Sequence, residues 1–95
     1  MNAAMALKRI RAAAEPGHDE LVGWTRHALE KLGDEIVIRQ VLTLLREGEL
    51  KRGPTWSDEH SDWVCVLRKV AAGRPVHVVV GIKERKADIT IVTVY

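Results

Sequence analysis

The spacing of hydrophobic residues is helical in the first half of the chain and strand-like in the second half. Residues 3–14 are dominated by alanine and carry one apolar stripe beside basic residues, which predicts a helix ended by Pro16. Residues 34–47 carry a wide apolar stripe at helical spacing, with Asp34 as the expected N-cap and Gly48 as the expected stop. These two stretches predict the longer helices of the fold.

The segment between these helices predicts a short strand followed by another helix. Residues 21–24 are mostly apolar and could form the strand. Thr25 is the expected N-cap of a helix over residues 26–32, and Gly33 is expected to end it.

Three runs rich in β-branched residues predict strands at residues 63–70, 75–82 and 88–95. Short loops separate them, which favours hairpins and an antiparallel meander. The preceding residues 49–62 are polar and contain the turn signal Gly53-Pro54, although residues 49–53 could add an edge strand. Helices followed by strands predict an α+β fold, in which N-terminal helices pack on a C-terminal antiparallel sheet of three to four strands.

Strand alternation assigns the polar residues of the sheet to faces. His77 lies opposite to the valines on either side of it in its strand. In the last strand, simple alternation places Thr93 and Tyr95 on the face of Ile89 and Ile91. If the register allows, His77 could lie across from the end of the last strand.

Length and charge bound the class of protein. The chain has 95 residues and a net charge of +2, which predicts a single domain over residues 1–95. We interpret residues 1–15 as an N-terminal extension helix and residues 20–95 as the core of the fold. A mildly basic charge permits a nucleic-acid partner but does not require one.

The N-terminal and cysteine patterns predict an intracellular protein. Basic residues follow the first apolar residues, which is the reverse of a secretory signal, and no apolar run reaches the ~18 residues of a membrane span. Cys65 is the only cysteine, so no intramolecular disulfide can form, and its apolar neighbours predict a buried, inert thiol. We therefore expect a cytoplasmic location and no membrane contact.

The sequence lacks the spacing of metal and nucleotide sites. Its histidines and cysteine do not have the close spacing of a zinc site, and His60 beside Asp58 and Asp62 is a weak ligand set in a polar loop. There is no phosphate-binding loop, no dinucleotide fingerprint and no nucleophile elbow. We predict neither a metal nor a cofactor.

Without metal or nucleotide motifs, the remaining candidate chemistry of the sequence is general acid–base catalysis by histidine. An unperturbed histidine has a pKa of about 6.5 and so exchanges protons at neutral pH. Metal-free cleavage of RNA needs a base for the ribose 2′-hydroxyl, an acid for the leaving 5′-oxygen, and a cation or hydroxyl that stabilises the charged phosphorane. The sequence contains groups of the right kinds, namely His27, His77, Lys31, Arg68, Arg74, Thr93 and Tyr95.

Each of these residues also has an ordinary structural interpretation. His77 alternates with valines and could be a half-buried sheet residue, while His27 could be a solvated residue near a helix N-terminus. Thr93 and Tyr95 are common in strands, and Lys31 could form an ion pair four residues along its helix. Composition alone does not decide between the two interpretations.

Four short motifs in order resemble a bacterial family of unknown function, domain of unknown function 4258. They are TRHALEKL, REGEL, RPVHVVVGI and ITIVTVY, and the resemblance spans roughly residues 24–95. The family usually has an Arg-Gly-Ile turn after its first helix, where this chain has residues 33–36 without the arginine. Residues 1–15 lie outside the resemblance.

The resemblance implies a RelE-like fold and a candidate site. The family is similar to RelE/ParE-type toxins and to small metal-free ribonucleases, in which histidine, basic residues, threonine and tyrosine line the open side of the sheet. By this resemblance His27, His77, Thr93 and Tyr95 are the candidate catalytic residues. The implied function is an endoribonuclease, the toxin of a toxin–antitoxin pair, with RNA as substrate and an antitoxin as protein partner.

Two further interpretations remain open. The chain could be a non-catalytic binding module, such as an antitoxin, immunity or regulatory protein, because Trp56 and Trp63 flank an acidic loop that could bind a protein. A homodimer formed by the N-terminal helix or by a sheet edge is compatible with either function.

Overall fold

The computed structural model of the chain describes residues 1–33, 38–71 and 73–95. In this described part the elements, in chain order, are α1 (Ala3–Ala13), β1 (Val22–Trp24), α2 (Arg26–Lys31), α3 (Ile38–Glu47), β2 (Glu49–Ser57), β3 (Asp62–Ala71), β4 (Arg74–Ile82) and β5 (Ile89–Val94). A short 3-10 turn, Asp19–Leu21, precedes β1. The fold is therefore mixed α+β, as predicted, while the predicted N-cap Asp34 lies outside the described residues.

The helices begin and end at capping residues that lie next to them in the sequence. The Asn2 side chain accepts a hydrogen bond from the Met5 backbone N–H at 2.8 Å, which caps α1. The Thr25 hydroxyl accepts one from the Ala28 N–H at 3.0 Å, which confirms the predicted cap of α2. Helix α3 ends immediately before Gly48, also as predicted.

The sheet has five described strands in the order β1-β5-β4-β3-β2. Strands β2 to β5 form the predicted antiparallel meander. The predicted number of three to four strands is wrong, because β1 and β2 both join the sheet. Strand β1 has only three residues and pairs in parallel with β5, with Val22 opposite Ile89.

Strand β2 runs through the predicted turn at Gly53-Pro54. Register shifts on both sides of Arg52 absorb the extra residues as bulges. Gly53 has a φ of +88°, and a Cβ there would collide with the carbonyl oxygen of Val64, so this bulged position requires glycine. Pro54 is tolerated because β2 is an edge strand. An edge with bulges and a proline is a poor template for further strands.

Helices cover one face of the sheet and form a single hydrophobic core with it. The buried sheet residues on that face are Val22, Cys65, Leu67, Val78, Val80, Ile82, Ile89, Ile91 and Val94. Helix α3 contributes Val41, Leu44 and Leu45, and α2 contributes Ala28. Helix α1 contributes Ala6, Ile10, Ala13 and, just past its end, Ala14. The N-terminal extension helix therefore packs into this core.

Two arginines link the C-terminal ends of α1 and α3 reciprocally. Arg11 of α1 donates to the carbonyl oxygens of Arg46 at 2.6 Å and Gly48 at 3.1 Å, at the end of α3. Arg46 of α3 donates to the carbonyl oxygen of Ala14, just past the end of α1. Terminal helix carbonyls lack partners within their helix and carry partial negative charge, so both cations are favourably placed. This pairing holds α1 beside α3 on the sheet.

Candidate functional site

Three side chains form a row across β3, β4 and β5 on the sheet face opposite the core, which we call the outer face. Arg68 lies opposite His77 in the β3–β4 register. His77 and Tyr95 exchange backbone hydrogen bonds of 2.7 Å and 2.9 Å. The His77 and Tyr95 rings stack with centroids 4.7 Å apart and an interplanar angle of 4°. We call Arg68, His77 and Tyr95 the cross-strand row.

A bulge in β5 brings Thr93 and Tyr95 to the outer face. Val80 pairs with Ile91, but Val79 pairs with Thr93, so Val92 is an extra residue in β5. Beyond the bulge the alternation is reversed. The assignment of Thr93 and Tyr95 to the face of Ile89 and Ile91 is therefore wrong, because simple alternation ignores the extra residue. The expected position of His77 across from the end of the last strand is confirmed.

Thr25 connects the bulge to the N-terminus of α2. Its backbone N–H donates to the carbonyl oxygen of Ile91 at 3.0 Å. Its hydroxyl donates to the carbonyl oxygen of Val92 at 2.7 Å while accepting from the Ala28 N–H. One hydroxyl therefore satisfies a carbonyl released by the bulge and an N–H of the first helical turn.

Thr25→Val should lower the free energy of unfolding by about 1–3 kcal/mol, because valine leaves both backbone groups without their hydrogen bond. Thr25→Ser keeps the hydroxyl and is the matched control, with an expected loss of less than about 1 kcal/mol. Urea denaturation followed by circular dichroism measures both variants. Equal stability of Thr25→Val and wild type would contradict this role.

The remaining predicted residues lie apart from the cross-strand row. His27 and Lys31 are exposed on α2, a helix that packs against β5. Within the described part of the chain, His27 makes no hydrogen bond, ion pair or ring contact with the row. Arg74 begins β4 and alternates with Val76, on the side of the strand opposite to His77. The site roles of all three remain predictions.

Glu49 is a further charged residue beside the row that the sequence did not single out. It pairs with Arg68 in the β2–β3 register, and its carboxylate lies 3.3 Å from the Arg68 guanidinium. Arg52 pairs with Val66 and so also lies on the outer face. Residues 49–53 are predicted as a possible edge strand, and β2 begins there, but the polar character of residues 49–62 gives no reason to assign Glu49 to a site. An uninterrupted alternation of polar and apolar residues along β2 would have placed Glu49 on the outer face, but the bulges interrupt that alternation.

Asp62 and Gly81 lie on the same face but away from the row. The Asp62 side chain is buried against Gly81, where a Cβ atom would collide with the carboxylate. Asp62 Oδ1 has no hydrogen-bond partner among the described residues. Gly81 is four residues from His77 along β4, which corresponds to about 13 Å. Asp62 therefore does not contact the cross-strand row.

Neither a nucleophilic thiol nor a metal-ligand cluster is found in the described structure. Burial raises the pKa of Cys65 to about 11, so the thiol is protonated at neutral pH and lies within the core. No group of three or more His, Cys, Asp or Glu side chains among the described residues is arranged to hold a metal ion. Within the cross-strand row, His77 carries an imidazole, a group that can transfer a proton, and Arg68 carries a guanidinium, a group that can bind an anion.

No helix in the described part of the chain has the length and apolar character needed to cross a membrane.

Helices on one sheet face and a polar cross-strand row on the other define a small α+β protein with a candidate site on its open sheet face. The chain belongs to the family described as Domain of unknown function (DUF4258), whose sequence model matches residues 24–95. No curated protein and no solved structure matches the chain. The family match begins after α1, which in this chain completes the core.

Proposed function

We propose that this protein cleaves RNA by metal-free general acid–base catalysis on the outer face, as the toxin of a bacterial toxin–antitoxin pair. The observation that carries the proposal is the cross-strand row, in which an arginine, a histidine and a tyrosine lie on neighbouring strands. These are the residue types that bind phosphate, transfer protons and stack on nucleotide bases. The order of helices and sheet also supports a RelE-like architecture.

Each residue of the row has a distinct role in this proposal. His77 transfers a proton to or from a ribose oxygen. Arg68 binds the scissile phosphate, because its planar guanidinium has five donors suited to phosphate oxygens. Thr93 can donate a hydrogen bond to the phosphate from the same face. Tyr95 holds the imidazole by stacking and is itself 59% exposed, so part of this residue is accessible to a substrate.

The surroundings of the row suit a single-stranded substrate. Val66 and Val79 are half-buried beside Arg68 and His77, so the face combines charge with apolar surface. Arg52 adds a second positive charge on this face. Single-stranded nucleic acid is commonly bound by such a combination of cations and stacking surfaces.

Purified protein should cleave a single-stranded oligoribonucleotide in the presence of EDTA and leave the all-deoxy counterpart intact. RNA supplies the 2′-hydroxyl nucleophile, which DNA lacks. Fragments ending in a 2′,3′-cyclic phosphate, identified by mass spectrometry, are the expected products. Cleavage of both nucleic acids, or of neither, would contradict the proposal.

A non-catalytic binding module is the second candidate function. It is favoured by Trp56, which is 40% exposed at the edge of the sheet and packs edge-on against Trp63 with ring centroids 5.4 Å apart. Exposed tryptophan is typical of protein interfaces. In this alternative the protein cleaves no nucleic acid, and the same oligonucleotide assay separates the two functions.

A further inference from the structure

The cross-strand row continues onto β2, where Glu49 lies next to Arg68. The Glu49 side chain is 68% exposed and the Arg68 side chain is 31% exposed, and they form an ion pair of 3.3 Å. Strand β2 is the edge of the sheet, so no further described strand lies beyond Glu49. Strands β2, β3 and β4 and the residue directly after β5 thus present, in order, a carboxylate, a guanidinium, an imidazole and a phenol on one face.

We infer that Glu49 is the general base of the proposed ribonuclease, with His77 as the general acid and Arg68 binding the phosphate between them. This inference rests on the proposed function. Cleavage of RNA requires two groups that transfer protons, and within the described residues His27 forms no hydrogen bond, ion pair or ring contact with the cross-strand row. Glu49 is the carboxylate that shares an ion pair with it.

The strand spacing between Glu49 and His77 leaves room for an in-line displacement. The base, the attacking oxygen, the phosphorus, the leaving oxygen and the acid lie roughly in line, with two hydrogen bonds of about 2.8 Å and an approach distance of about 3 Å. Together with the breaking bond this spans about 10 Å. The backbones of Glu49 and His77 are two strands apart, which is about 10 Å, so side chains that extend from the same face can hold the carboxylate and the imidazole at this separation. Arg68 lies halfway, where the phosphate would be.

The reaction balances with these two groups. The Glu49 carboxylate accepts the proton of the 2′-hydroxyl while the 2′-oxygen forms a bond to phosphorus. The bond from phosphorus to the 5′-oxygen breaks, and protonated His77 donates its proton to that oxygen. The products are a 2′,3′-cyclic phosphate and a 5′-hydroxyl. Protonated Glu49 and neutral His77 then return to their starting states by exchange with water.

The charged groups around Glu49 leave its carboxylate accessible. Arg68 faces it from β3, and Arg52 lies on the same face of β2. The neighbouring pair of Glu47 and Lys69, with a distance of 3.6 Å, belongs to the other side of the sheet, because Lys69 alternates with Arg68. The ion pair with Glu49 uses one of the five donors of Arg68, so the others can bind phosphate.

Glu49→Gln tests this inference against the matched control Glu47→Gln. The glutamine carbonyl can still accept from Arg68, so a role limited to positioning Arg68 is kept while the base is lost. We expect Glu49→Gln to lower the rate of oligoribonucleotide cleavage by at least about 100-fold. The decrease of the cleavage rate at acidic pH, which we call the acidic limb of the pH–rate profile, should be lost in this variant. Glu47→Gln should cleave at the wild-type rate, and both variants should keep the wild-type melting temperature within a few degrees, since exposed ion pairs add little stability.

The outcomes separate the inference from the function on which it rests. Wild-type cleavage with an unchanged pH profile in Glu49→Gln, together with loss of cleavage in His77→Ala, would overturn the role of Glu49 alone. Loss of the acidic limb in His27→Ala but not in Glu49→Gln would place the base on α2 and also overturn it. Absence of cleavage by the wild type would overturn both the proposed function and this inference.

Discussion

His77→Ala is expected to lower the rate of RNA cleavage by at least about 100-fold, the usual contribution of a group that transfers a proton. The substitution removes the imidazole from the cross-strand row. His77 is half-buried on the outer face and does not belong to the core, so the variant should remain folded. The loss of stacking on Tyr95 should reduce the free energy of unfolding by only about 1 kcal/mol. Initial rates on a fluorogenic oligoribonucleotide, with circular dichroism spectra of the same samples, measure both effects.

His60→Ala is the matched control for His77→Ala. His60 is exposed in the turn between β2 and β3, away from the cross-strand row. The His60→Ala variant should cleave the oligoribonucleotide at the wild-type rate. In a bacterial host, induced expression of the wild type and of His60→Ala should stop growth, whereas His77→Ala should not. Equal rates for His77→Ala and wild type would remove His77 from the catalytic site and favour the binding module.

Ile10→Ala is expected to lower the free energy of unfolding by about 2–5 kcal/mol, the range for removing a buried isoleucine side chain. Ile10 is 0% exposed and belongs to the same hydrophobic cluster as the sheet and α3. Its removal leaves a cavity between α1 and the sheet. Urea denaturation measures the loss. For a domain of this size, even the lower end of that range is a large part of the total stability.

Met5→Ala is the control on the same helix. Met5 is 51% exposed, so its truncation should change the free energy of unfolding by less than about 0.5 kcal/mol. A loss in Ile10→Ala no larger than that in Met5→Ala would mean that α1 contributes little to the core. Helix α1 lies outside the family match at residues 24–95. A larger loss of stability in Ile10→Ala than in Met5→Ala would show that this chain needs α1 for its core.

The reciprocal arginine contacts give α1 a second connection to the fold. Arg11 and Arg46 each donate to carbonyls at the end of the other helix. Hydrophobic burial holds α1 on the sheet, and these directional hydrogen bonds set its position along α3. Helix α1 is therefore held in the fold both by its buried side chains and by hydrogen bonds to the helix ends.

Features that depend on neighbouring residues were predictable from the sequence. The predicted helix at 3–14 corresponds to Ala3–Ala13, and the predicted strand at 75–82 corresponds to Arg74–Ile82. The capping role of Thr25 also followed from its residue type and position. Such features arise from helix propensity, capping and the period of side-chain burial, all of which act over a few residues.

The composition of the candidate site was only partly predictable. The sequence singled out His77, Tyr95 and Arg68 as residue types suited to acid–base chemistry, but their alignment depends on strand register. Glu49 was missed because the bulges and Gly53-Pro54 hide the alternation of β2. The predicted face of Thr93 was wrong because one extra residue in β5, Val92, reverses the alternation of side chains beyond it.

The sequence by itself determined the helices, the three long C-terminal strands, candidates for β1 and for the start of β2, the α+β class and the residue types available for chemistry. Only the tertiary structure decided that β1 pairs with β5, that β2 completes the sheet edge, and that Glu49, Arg68, His77 and Tyr95 lie in one row. The physical reason is that helix caps and burial periods are local, whereas strand pairing joins residues far apart in the chain. A shift of one residue in that pairing moves a side chain to the opposite face.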